Sequence, residues 1–147
     1  MTDGRLSVAL AQIDPALGDR GRNLERHREW VKRAAEAGAR LLVFPELSLT
    51  GYFLKDLVPE SAIQLDSYEM RDLAALSSEL DIVLGTVIES PDHRYFNASL
   101  YFSQGELVHM VGQPPRNQIL TGGVHDVQQH DVASASNGHG LLKRARK

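Results

Sequence analysis

The sequence predicts an α/β layered domain, and three observations carry that expectation. Short apolar runs recur at residues 6–13, 39–44 and 82–88, amphipathic stretches separate them, and two strand-like segments joined by a tight turn follow them. The resulting order, β-α-β-α-β-β, is that of helices laid on a sheet whose first strands are parallel and whose last strands form a hairpin.

Taken in order, LSVALAQI (6–13) is a nearly continuous apolar run of the kind found in a covered sheet. Asp14-Pro15 and Gly18-Asp19 mark a loop. Asn23 then serves as an N-cap for a helix running to Ala37, with Gly38 as its stop. Leu24, Trp30, Val31, Ala34 and Ala35 give this helix one apolar stripe on an otherwise charged surface. Residues 39–44 return as the second strand, completing a unit whose crossover is expected to be right-handed. Residues 53–63 are loop-like and broken by Pro59. Residues 67–80 form a second amphipathic helix with Tyr68, Leu73, Leu76 and Leu80 toward the sheet. After the third strand, a Pro-Asp turn leads to 97–102, and Ser103-Gln104-Gly105 turns into 106–109, a β-hairpin.

Composition bounds the function. With 147 residues, 42% of them apolar and 24% charged, the chain has the make-up of an ordinary globular protein of about one domain. No apolar run approaches the roughly 18 residues of a membrane span, and MTDGRLSVAL lacks a signal-peptide pattern, so a cytoplasmic location and no membrane partner are expected. A net charge of −3 gives no reason to expect nucleic acid. The absence of cysteine excludes disulfides, cysteine metal sites and a thiol nucleophile within this sequence.

The charge is unevenly distributed. Residues 1–109 carry a balance of −6 and residues 110–147 a balance of +3. The last aromatic residue is Phe102, and the final stretch contains GQPPRNQ, ASASNGHG and KRARK. We therefore divide the chain into a domain at 1–109 and a weakly structured tail at 110–147. Three tail histidines, His125, His130 and His139, have spacings of no compact ligand set, so no metal is expected.

The chain is organised around LLVFPELSLTGY (41–52). Pro45 has no N–H to extend a ladder after Phe44, and Glu46 follows at the carboxyl end of a core strand, where pockets gather in α/β sheets. On local pattern alone, a solvated loop opening at Glu46 is the favoured reading. The string Phe44, Pro45, Glu46, Leu49, Thr50, Gly51, Tyr52 resembles the glutamate motif of the nitrilase superfamily, the carbon-nitrogen hydrolases. So do VALAQIDPALGDRGRNL (8–24), LGTVIE (84–89) and the FNASLYF…GELVH hairpin (96–109). The resemblance implies the first half of a four-layer α-β-β-α sandwich and an enzyme of amidase or nitrilase type acting on a small-molecule amide or nitrile, without a cofactor.

Attack on an amide or nitrile carbon needs a nucleophile, a base to take its proton, and a cation or donor to hold the developing charge. The resemblance implies a Cys, a Glu and a Lys in these roles and makes Glu46 the general base, partly buried so that desolvation strengthens it. It also places Tyr52 at the pocket mouth as a substrate-binding residue and Asn97 near the hairpin, where ring packing and a turn hydrogen bond are the competing structural roles. The lysine is expected just beyond GELVH, where this chain reads His109-Met110-Val111-Gly112-Gln113-Pro114, and no lysine lies between Lys55 and Lys143. Lys55 reads as a solvated loop charge and Lys143 as part of a basic terminal run. Ser99 and Ser103 flank the hairpin with no histidine placed to activate them.

Two readings follow. The first is a carbon-nitrogen hydrolase cut short, with residues 110–147 of unrelated origin, as a shifted reading frame produces; such a chain is inactive and, with strands left unpartnered, prone to self-association. The second is a non-catalytic α/β module that associates with a full-length homologue, or with itself as a homo-oligomer. The Gly51-Tyr52 loop through Asp56-Leu57 resembles, more narrowly, the glutaminase portions of larger synthetases.

Overall fold

The computed structural model describes residues 5–113. Its elements are β1 (Val8–Leu10), α1 (Arg20–Glu36), β2 (Leu41–Val43), a 3-10 turn (Lys55–Leu57), α2 (Val58–Ser61), α3 (Tyr68–Leu76), β3 (Asp81–Glu89), β4 (Tyr95–Ser103) and β5 (Glu106–Gln113). The five strands form one mixed sheet in sequence order, β1-β2-β3-β4-β5. β1, β2 and β3 are parallel, and β3, β4 and β5 are antiparallel. This is the α/β arrangement that the sequence predicts.

One face of the sheet carries the core. Leu42 and Phe44 from the β2 segment, Ile82, Leu84 and Ile88 from β3, and Ala98, Leu100 and Phe102 from β4 are buried. Leu24, Val31 and Ala34 of α1 and Met70 and Leu73 of α3 pack on them. Each large side chain buried this way stabilises the fold by about 1.5–3 kcal/mol. The alternate residues face the other way, and no described residue covers them: Val8 is 48% exposed, Leu10 75% and Val111 45%. Parallel strands are ordinarily buried on both faces, so this bare side is a departure with consequences for association.

Several boundaries differ from those the sequence predicts, each for a physical reason. α1 begins at Arg20 because Asp19, not Asn23, is its cap; the Asp19 carboxylate accepts from Arg22 N at 3.0 Å. Asn23 lies one turn inside the helix on its buried side. Pro59 does not break residues 53–63 into loop: it occupies the first turn of α2, where its missing N–H costs nothing. α3 is capped by Ser67 and stops at Leu76, and Tyr68 points outward at 53% exposure.

The hairpin turn Gln104-Gly105 has φ of +51° and +83°, the two-residue turn with both centres left-handed that matches strand twist. Beyond it β5 runs on past His109 through Gln113, with a bulge opposite Tyr101/Phe102. The rest of the predicted tail, from Pro114, lies outside the described residues, as do His125, His130, His139 and Lys143. No helix among the described residues is long and apolar enough to cross a membrane.

Candidate active site

The site is built on the step from β2 to the turn that follows it. Phe44 N still donates to Val83 O at 2.8 Å, after which Pro45 ends the ladder and the chain coils over β3. Leu49 N donates to Gly85 O at 3.2 Å and Gly51 N to Leu47 O at 2.7 Å. Leu47 takes a φ of +52°, unfavourable for a branched apolar side chain, so the surroundings must hold this turn in place. Gly85 makes the approach possible: a Cβ there would lie 2.5 Å from Leu47 N and 2.9 Å from Glu46 Cα. Gly51, at φ +86°, brings the far end of the turn onto the loop before α1, where a Cβ would meet Leu17 Cα at 3.0 Å.

Beneath the turn, α1 contributes two wholly buried polar side chains one turn apart, Asn23 and His27. The Asn23 amide donates to Ala16 O at 2.7 Å and Leu49 O at 2.9 Å, and its oxygen accepts from Ala16 N at 2.7 Å. It therefore ties the two loops together. His27 Nδ1 lies 2.7 Å from Asn23 O, a carbonyl that can only accept, so Nδ1 bears the proton of the neutral ring. Nε2 is then the acceptor, and the Ser48 hydroxyl donates to it at 3.0 Å. The His27 ring also stacks at 4.1 Å from Phe44. Burial lowers the His27 pKa to about 4, against the opposing hydrogen bond to Asn23 O. The ring is therefore uncharged at neutral pH. A serine and a histidine so paired invite a nucleophilic reading, yet both are fully buried and cannot reach a substrate.

Glu46 emerges from this platform into solvent on the bare side of the sheet. Its Oε1 accepts from Asn97 Nδ2 at 2.5 Å. The described residues leave Glu46 exposed, so they do not supply the burial that the sequence reading attached to it. Burial and, after it, the negative charge of Glu46 raise the pKa of Tyr52, whose side chain is 40% exposed near the carboxylate. An open depression runs from Glu46 over Gly85 to Asn97, Ser99 and Gln113. Among the described residues no Lys, Arg or His lines it.

Of the residues singled out from the sequence, Glu46 and Asn97 are brought into contact, and Tyr52 within electrostatic reach. Ser99 pairs with Gly85 across β3 and β4 and lines the same depression, a placement that sequence alone does not suggest. Ser103 is elsewhere, donating to Asp81 at 2.6 Å at the opposite end of β3, four residues or about 13 Å from Gly85. Lys55 is exposed in the 3-10 turn. Among the described residues no three acidic, histidine or cysteine side chains gather as a metal cluster. Asn23, His27, Ser48 and Gly85 escape sequence reasoning; the available signal is two polar residues, Asn23 and His27, on the buried stripe of an amphipathic helix.

Comparison with known proteins gives a consistent picture. The carbon-nitrogen hydrolase family model matches residues 7–125. A glutamine-dependent NAD(+) synthetase from Thermotoga maritima is 37% identical over 106 residues, 71% of this chain and 18% of that protein. The structure of the glutamine-dependent NAD+ synthetase from Acinetobacter baumannii superimposes with a TM-score of 0.60 at 28% identity, over 72% of this chain and 20% of that one. Saccharomyces cerevisiae Nit3, a nitrilase-superfamily member, shares the fold with a TM-score of 0.63 at 23% identity, over 74% of this chain and 44% of that one. The chain thus spans about a fifth of the length of these synthetases.

Proposed function

The chain belongs to the carbon-nitrogen hydrolase family, and on that premise we propose that it carries the glutamate side of a site for hydrolysing the side-chain amide of glutamine, with Glu46 as the general base. The observation that supports this most is the position of Glu46: at the carboxyl end of β2, over Gly85, with one oxygen engaged by Asn97 in an open depression. Similarity to glutamine-dependent synthetases favours glutamine over a nitrile.

In such a reaction a thiol gives its proton to Glu46 as sulfur attacks the amide carbon. The carboxylic acid then returns the proton to the departing ammonia, and water attacks the acyl-thiol by the same relay. The sequence holds no cysteine, and among the described residues no cation lines the depression. Taken alone it therefore performs no turnover. The direct test is ammonia release from glutamine by the full chain. None is expected; a rate that disappears in Glu46→Gln would overturn the inactivity of the chain alone, and a rate indifferent to Glu46→Gln would overturn Glu46 as the base.

The bare face of the sheet supports a second reading, a non-catalytic module that associates with an intact homologue or with itself. Co-purification with a full-length relative, absent when Leu10 is replaced by Lys, is the expected result. Its reversal, equal recovery of both forms, removes this reading.

A further inference from the structure

We infer that Asn97 is a positioning residue for Glu46, holding the carboxylate through Oε1 so that Oε2 is the oxygen left to take a proton. This rests on the reading of Glu46 as the base and adds to it the residue that aims it.

The geometry carries the assignment. Asn97 Nδ2 lies 2.5 Å from Glu46 Oε1, and Oε2 has no hydrogen-bond partner among the described residues. The two residues come from different elements, the turn after β2 and the central strand, β4, of the antiparallel β3-β4-β5 ladder, so the contact ties the turn's side chain to the ladder. Asn97 is itself fixed by pairing on both sides, with Val87 on β3 and Gln113 on β5. Glu46 has a rigid floor, since Gly85 lets its backbone lie against β3 and leaves no room to sink further.

An exposed glutamate with three side-chain torsions otherwise samples several rotamers. A charge-assisted hydrogen bond to a strand residue selects one. The amide is suited to the task in both proton states. Its N–H₂ donates to the carboxylate, and after a half-turn of the amide its carbonyl accepts from the carboxylic acid. A lysine could hold only the first state and an aspartate only the second. Asn97 is separate from the buried Asn23, His27 and Ser48 group, which holds the turn's backbone and not the carboxylate.

The experiment is NMR of the labelled full chain without substrate, comparing wild type, Glu46→Gln and Asn97→Leu. In wild type the Asn97 side-chain amide should stand apart from solvated amides, and the Glu46 β-protons should report one rotamer. Glu46→Gln should move the Asn97 amide toward the solvated position while the thermal midpoint stays within about 3 °C, since Glu46 is exposed. Asn97→Leu should average the Glu46 rotamers. An Asn97 amide already among the solvated ones, in a folded or a molten chain, overturns the inference, and so does an Asn97 amide that ignores Glu46→Gln. The wild-type and Glu46→Gln spectra decide the matter even where Asn97→Leu does not fold. No turnover is measured, so this result stands or falls separately from glutamine hydrolysis.

Discussion

Gly85 lies directly under Glu46: a methyl group on its Cα would stand 2.9 Å from Glu46 Cα and 2.5 Å from Leu47 N. Both contacts are with backbone, which cannot rotate aside as a side chain can. Gly85→Ala should therefore lift the turn away from β3 and lower stability by about 1–3 kcal/mol, as overpacking does. Urea unfolding measures the loss. An unchanged midpoint would mean that the turn does not rest on β3.

His27 makes stability depend on pH. Its folded value, about 4, lies below the ordinary 6.5, so between these values the unfolded chain binds the extra proton. The stabilisation is fully present above about pH 6.5 and is lost as pH falls toward 4. A shift of that size corresponds to about 3 kcal/mol at most. Carboxylates titrate in part of the same window, so the quantity to measure is the difference between wild type and His27→Gln. The wild-type curve should fall more steeply between pH 6.5 and 4, and parallel curves would contradict a buried, neutral His27.

Asn23 joins the loop at Ala16 to the turn at Leu49 through three hydrogen bonds. Asn23→Ala leaves the buried Leu49 carbonyl and the half-buried Ala16 N–H to find other partners, at about 1–3 kcal/mol for each that fails, while Ala16 O keeps Asp19 N at 3.4 Å. The expected loss is at least 2 kcal/mol, again by urea unfolding. A value near the few tenths typical of a misplaced helix cap would return Asn23 to the role that its sequence position first suggests.

Leu10, three-quarters exposed on the bare sheet face, should drive self-association. Leu10→Lys removes little core contact and should shift sedimentation toward the monomer. A wild-type chain that is monomeric at high concentration would contradict this prediction.

The sheet was legible in the sequence because its strands are apolar runs whose spacing is dictated by burial, as at Ile82, Leu84 and Ile88. Glu46 was legible because proline, carboxylate and turn residues follow one another in the chain. What supports Glu46 was not, since Gly85 and Asn97 reach it across 39 and 51 positions of sequence and His27 reaches Ser48 across 21, and such contacts leave no local pattern. Asn23 misleads for a related reason. An asparagine at a helix start is ordinarily a cap, and only tertiary structure reveals that the helix begins three residues earlier at Arg20 and buries it. Tyr68 shows the converse, an expected stripe residue turned outward because it lies five positions, about 140° around the helix, from the buried Leu73.

The most direct test of Glu46 as the base is a chimera. Residues 7–113 replace the matching segment of the Thermotoga maritima synthetase, which supplies the rest of that protein, and ammonia release from glutamine is measured with and without Glu46→Gln. The account predicts release by the chimera and its loss, by on the order of 100-fold or more, in the Glu46→Gln form, as expected for removing a general base. A folded chimera that hydrolyses glutamine equally well with glutamine at position 46 would contradict it.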